Sequence, residues 1–237
     1  MTKNALQTND PVTQRILSEL RADKKRFWAG DNIAEYVSEK DRASLVNEAA
    51  EKLEGVLDSL LIDHETDPNS KETARRIAKM YINELFSGRY DEKPPVTAFP
   101  NTEDDDRYEG ILITKAEIKS VCSHHHQPVT GVCWIGLIPS THVIGLSKYA
   151  RLAQWHARRG TLQEELTRRI SDEIKADTKS KDVAVIISAT HGCCSNRGIM
   201  AHDSTTITSV LSGQFYNPSV KEEFHRLITN YKVLSTI

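Results

Sequence analysis

Leu162-Gln163-Glu164-Glu165-Leu166-Thr167-Arg168-Arg169-Ile170-Ser171-Asp172-Glu173-Ile174-Lys175-Ala176 places Leu162, Leu166, Ile170 and Ile174 four residues apart with mostly polar residues between them. That period predicts a helix with one narrow apolar face, suited to covering a sheet. A second helical pattern, Ser147 to Arg158, precedes it, and strand-like runs flank the pair. Gly110 to Val121 and Val129 to Ile138 come before; Asp182 to Thr190 and Ser204 to Leu211 come after. A last short helix around Val220 to Ile228 is expected to carry Phe224, Leu227 and Ile228 inward. The order ββααββα predicts an α+β domain, an antiparallel sheet with helices on one face. Four strands leave two open edges, so pairing with other subunits is expected.

Upstream, Ser38 to Leu61 sets Leu45, Ala49, Leu53, Val56 and Leu60 at helical spacing, with Ser38 and Asp41 as a capping start. Thr73 to Phe86 predicts a shorter helix with Ile77, Met80, Tyr81 and Leu85 on one stripe and Gly88 as its stop. Asp91 to Arg107, with Pro94-Pro95, Pro100 and Asp104-Asp105-Asp106, reads as a linker or exposed loop. The expected division is an N-terminal helical region with linker, residues 1–105, and an α+β domain, residues 106–237.

The 237 residues suffice for one sizeable core with an appended helical region. No apolar run approaches the roughly 20 residues that cross a bilayer. Met1-Thr2-Lys3-Asn4 leads into polar sequence without a signal-peptide core, so a cytoplasmic location without membrane partners is expected. Lys plus Arg number 31 against 33 Asp plus Glu, a balance that argues against a generic nucleic-acid binder while leaving room for a local phosphate pocket.

Four cysteines without a secretory context read as free or metal-bound thiols. Cys133, inside Val132-Cys133-Trp134-Ile135, reads as a small buried hydrophobe. Cys122-Ser123-His124-His125 follows one strand run, and His191-Gly192-Cys193-Cys194 closes another. A cysteine and a histidine three apart on one turn can reach a single ion, and a distant thiolate can supply a third ligand. Three protein ligands leave a position for water, the arrangement of a catalytic rather than a structural zinc. Neighbouring strand residues point to opposite faces, so only one of Cys193 and Cys194 aims easily at such an ion.

Five motifs in order make the chain resemble the GTP cyclohydrolase I family from about Glu72 onward. They are Glu72-Thr73-Ala74-Arg75-Arg76-Ile77-Ala78-Lys79-Met80-Tyr81, Cys122-Ser123-His124-His125, Val143-Ile144-Gly145-Leu146-Ser147-Lys148-Tyr149-Ala150-Arg151, Gln163-Glu164, and His191-Gly192-Cys193 leading to Asn196-Arg197-Gly198-Ile199. The resemblance implies the tunnelling fold, a homodecamer of two stacked pentamers with active sites at subunit interfaces, and conversion of GTP to 7,8-dihydroneopterin triphosphate and formate. It implies Zn2+ on Cys122, His125 and Cys193, and acid-base work for His124 and His191. Ser147 matches the position near the sugar. Glu164 matches the carboxylate that reads the guanine edge, with Gln163 beside it as a further substrate contact. Lys148, Arg151 and Arg197 match positions that grip the triphosphate, and Arg76 and Lys79 are further cations for it.

Taken singly, several of these have plainer readings. Glu164 alone is an acid near a helix start, Arg76 and Lys79 a solvated basic face, and either histidine a group that only orients a metal. The chain also departs from the family pattern at Ser123, usually an acid, and at His126, Gly192 and Cys194-Ser195. A non-catalytic zinc-stabilised ring protein of the same fold is the alternative. Retention of His124, His191, Ser147 and Glu164 argues against it.

Overall fold

The computed structural model describes residues 11–101 and 107–234, which fall into two units divided between Glu92 and Lys93. Met1-Thr2-Lys3-Asn4 and the run Asp104-Asp105-Asp106 lie outside the described residues.

The first unit is helical: α1 (Val12–Ala22), α2 (Glu39–Ser59), α3 (Thr73–Met80) and α4 (Ser87–Tyr90). Ser38 and Asp41 form the reciprocal capping box at the start of α2, satisfying two backbone donors that the helix itself leaves orphaned. The buried stripe of α2 is rotated one residue from expectation. Val46, Ala50 and Leu57 are buried, whereas Val56 and Leu60 are exposed, and Val46 and Ala50 pack with Ala78 of α3. The expected Thr73 to Phe86 helix ends its α-helical part at Met80 and passes through a π-helical turn, Tyr81–Leu85. Gly88 lies inside α4 and stops nothing.

The second unit runs β1 (Ala98–Pro100), β2 (Leu112–Val121), β3 (Pro128–Leu137), β4 (His142–Ile144), α5 (Leu146–Ala157), α6 (Gln163–Thr178), β5 (Val183–His191), α7 (Gly192–Ser195), β6 (Thr205–Leu211) and α8 (Pro218–Leu234). Four strands form one antiparallel sheet in the order β2-β3-β5-β6. Within the stretch expected to be loop, β1 instead pairs with β4.

Strands β3 and β5 are apolar on both faces because both faces are covered. Cys133, Ile135 and Leu137 with Val183, Val185 and Ile187 meet Tyr149, Leu152 and Ala153 of α5 and Leu166, Ile170 and Ile174 of α6. On the opposite face Trp134 and Ala184 meet Phe215, Phe224 and Ile228, so α8 covers the side that the helix pair leaves bare. Gly136 makes this approach possible, since a Cβ there would lie 2.5 Å from the Phe224 ring. Two residues expected inward are partly exposed. Leu162 (40 % exposed) sits before the first helical turn in an extended conformation, off the stripe its spacing implied. Leu227 (38 % exposed) is turned by roughly 100° from the face that Phe224 and Ile228 share.

The sheet orders the chemistry by its ends. Val121 pairs with Pro128 and Val129 with His191, so the Cys122 turn, His191 and α7 gather at one end. The Ser120 hydroxyl donates to the Ala157 carbonyl at 2.6 Å, tying the C-terminus of α5 to that same end. Ser147 stands ten residues back along α5, about 15 Å away at 1.5 Å per residue.

Beneath the pair, His156 Nε2 lies 3.1 Å from Glu173 Oε2, and Lys93 bridges Glu173 at 2.5 Å and Asp177 at 2.6 Å. The hydrogen bond from His156, with Lys93 assisting against the opposing effect of burial, holds the Glu173 carboxyl at about 2 against its usual 4.5. Burial holds His156 below the usual histidine range. A carboxyl depressed on folding contributes stability above its unfolded value and loses it as pH falls through the folded value. Glu173→Gln is therefore expected to cost about 1–2 kcal/mol near neutral pH. The gap from the parent protein should close as pH drops from 4.5 toward 2. Denaturation midpoints across that range check this; a gap independent of pH would show that the Glu173 charge plays no part.

Candidate active site

Cys122 is buried immediately after β2. Its turn is closed by two backbone hydrogen bonds, Cys122 N–H to Gln127 O and His126 N–H to Cys122 O, both 2.9 Å. His126 takes a left-handed backbone, φ 51°, which lets the chain reverse within five residues and throws His124, His125 and His126 to the surface. The His124 and His125 rings meet edge to face with centroids 6.4 Å apart.

Cys193 enters from β5 through the single turn of α7, and it packs against the core cluster that contains Cys122, close enough for the two thiols to influence each other. Strand β3 lies between β2 and β5, so the two thiols meet across the sheet end from non-adjacent strands. Burial first, and the Cys122 thiol second, push Cys193 up to about 11. A cation beside Cys193 would favour its thiolate. The Cys194 sulfur stands 4.0 Å from that of Cys193.

His125 directs Nε2 at Arg197 Nη1, 3.3 Å away. Arginine only donates, so the guanidinium occupies the imidazole lone pair that a metal would take. Among the described residues no group of three His, Cys, Asp or Glu side chains is gathered around one point. The thiol pair is assembled, and the third expected ligand is on the same turn but engaged by a cation. In kind, two thiols and an imidazole suit zinc.

His191 closes β5 beside this pair. Burial holds its imidazole below the usual histidine range, while the nearby Glu164 carboxylate pulls the other way. Its Nε2 lies 2.7 Å from Gln163 Oε1. Gln163 and Glu164 open α6 and diverge: Gln163 is buried and Glu164 exposed. The Gln163 amide is spent inside the chain, on Ile187 O, Thr206 O, Thr208 Oγ1 and His191, which differs from the substrate contact expected of it. Nothing in the sequence marked Thr206 and Thr208 as its partners. An open cleft of 530 Å³ adjoins Glu164, walled by Leu162, Thr167, Arg168, Thr208 and Val210. A separate cleft of 380 Å³, lined by Arg107, Glu109, Ile138 and Glu223, lies toward the opposite end of the sheet.

Ser147 and Lys148 begin α5 and Arg151 follows one turn on, at the end of α5 remote from the thiols. Arg76 and Lys79 are exposed on α3 in the first unit.

A family model described as GTP cyclohydrolase I matches residues 49–229. A protein named GTP cyclohydrolase 1 from Aeromonas salmonicida is 41 % identical over 180 residues, spanning 73 % of this chain and 81 % of that one. A protein of the same name from Flavobacterium johnsoniae is 37 % identical over 174 residues, 73 % of this chain and 76 % of its own. The four-stranded antiparallel sheet with its helix pair, preceded by helices, is the tunnelling fold the motifs implied. Since the matched span runs from within α2 through both thiol turns and the helix pair into α8, the chain belongs to the GTP cyclohydrolase I family.

Proposed function

We propose that the protein converts GTP and water to 7,8-dihydroneopterin triphosphate and formate, with zinc held by Cys122, His125 and Cys193. The observation that carries this reading is the pair of thiols meeting across the sheet end beside His191, with Glu164 and its cleft on the same side. Zinc, when bound, supplies Lewis-acid activation of the attacking water. Arg197, which meets His125 at 3.3 Å, would be available for phosphate when His125 serves as a ligand.

The side chains divide the remaining work. Glu164 offers two acceptor oxygens to the N1–H and 2-amino group of guanine, and the apolar walls Leu162 and Val210 flank the base. His191 protonates N7, making C8 electrophilic toward water, and His124 moves protons as the imidazole ring opens and formate leaves. Ser147 relays a proton during rearrangement of the sugar. Lys148, Arg151 and Arg197 neutralise the triphosphate.

The placement of Ser147 at the far end of α5 supports active sites completed by a second copy, and the open edges β2 and β6 support closure of the sheets into rings. Two stacked pentamers are the assembly proposed. No helix among the described residues is long and apolar enough to cross a membrane. Free thiols and a phosphorylated substrate favour a cytoplasmic setting, where the pterin would serve tetrahydrofolate or 7-deazaguanine synthesis.

The test is incubation of the zinc-loaded protein with GTP, following formate and the fluorescence of the oxidised pterin. Both products appearing together, and vanishing in His191→Ala, is the expected result. Zinc and GTP bound without turnover would overturn the enzyme reading in favour of a nucleotide-binding ring protein.

A further inference from the structure

We propose that Gln163 is a positioning residue for His191, fixing one imidazole proton on Nε2 so that Nδ1 is the nitrogen that exchanges protons with the substrate. The inference rests on the acid-base role just given to His191 and adds the atom through which it acts.

The hydrogen bonds admit one assignment. Gln163 Nε2 lies 3.1 Å from both Ile187 O and Thr206 O. Backbone carbonyls only accept, so the amide end facing them carries the hydrogens. Rotating the amide by half a turn would set its oxygen against two carbonyl oxygens. The hydroxyls agree with this orientation. Thr167 Oγ1 donates to Gln163 O at 2.7 Å. The Thr208 proton then goes to Thr167 Oγ1 at 2.6 Å, leaving a Thr208 lone pair toward Gln163 Nε2 at 3.0 Å. The two amide hydrogens are thus shared among three acceptors with no donor facing them, and Gln163 is only 4 % exposed, which keeps water from substituting.

The amide oxygen left over points at His191 Nε2 from 2.7 Å. It has no proton to give, so Nε2 must donate. A neutral His191 then carries its lone pair on Nδ1, and a protonated one gives up its Nδ1 proton while the Nε2–H···O bond persists through the cycle. One strand carbonyl on β5 and another on β6 hold the amide, so the tautomer is set by the sheet itself rather than by a mobile side chain.

The experiment has two arms on the full-length, zinc-loaded protein. In the first, solid-state NMR of sedimented protein labelled with 15N-histidine reads the tautomer, the His191 signals being those missing from His191→Ala. A protonated Nε2 with a bare Nδ1 is expected for neutral His191; protonation on Nδ1, or a mixture of the two forms, overturns the proposal. This reading needs no turnover, so it stands or falls separately from the cyclohydrolase activity. In the second, Gln163→Met is expected to lower kcat about 10- to 100-fold and to leave KM for GTP within about threefold. A raised KM with unchanged kcat in Gln163→Met would make Gln163 a substrate contact instead. Should that variant not fold, the first arm decides on the unaltered protein.

Discussion

Cys193→Ala is expected to lower GTP turnover by about 10³-fold or more and to strip bound zinc to well under one ion per chain, because a three-ligand site that loses a thiolate has little left to hold the ion. The argument is geometric. Cys122 and Cys193 come from non-adjacent strands and approach each other over the start of β3. Burial first and the Cys122 thiol second push Cys193 up to about 11; a divalent ion beside it would favour the thiolate instead. Cys193 is partly exposed on a one-turn helix, so the substitution should leave the sheet folded, and circular dichroism will show the parent spectrum. Cys194→Ala is the matched control, with an expected change within about threefold, since its sulfur stands 4.0 Å from that of Cys193 on the neighbouring residue. Metal content by mass spectrometry alongside turnover checks both. Full zinc and full activity in Cys193→Ala would move the metal elsewhere.

The parts of this protein legible in its sequence are those written in a long period. Strands β2, β3, β5 and β6 and helices α5 and α6 are found within a residue or two of expectation, because all but the edge strand β6 bury a stripe against the other layer. The α2 cap was legible for a local reason, the Ser38 and Asp41 pairing. Elements that no period describes escaped: β1 and β4 are three residues each and exist through one another, and the π-helical turn at Tyr81–Leu85 leaves the same apolar spacing as a regular helix. In the site, the residue types were legible and their directions were not. Gln163 and Glu164 look equivalent as polar residues at a helix start, yet one is consumed by strand carbonyls and the other faces the cleft. That outcome depends on Ile187 and Thr206, which are remote in sequence and carry no side-chain signal for it.

Mixing two inactive variants is expected to restore activity. A double variant, Ser147→Ala with Lys148→Ala, disables the start of α5, and His191→Ala disables the sheet end. Each alone should be at least about 10²-fold impaired. The sugar carbon that Ser147 would serve is one glycosidic bond from the base that His191 protonates, so both side chains must lie within a few ångströms of one nucleotide. In a single chain they do not. Ser120 pins Ala157 to the His191 end of the sheet, and the straight rise of α5 puts Ser147 about 15 Å from that end. Only a neighbouring copy can bring the start of its own α5 to the thiol end of this one. When the two variants are dissociated together and reassembled at equal amounts, a shared site receives an intact half from each with a chance of about one in four. Activity should then rise to about a quarter of the parent value, with differently tagged chains copurifying. Copurification without any recovery would mean that both halves of each site come from one chain, and the reading of α5 as a neighbour's contribution would fall.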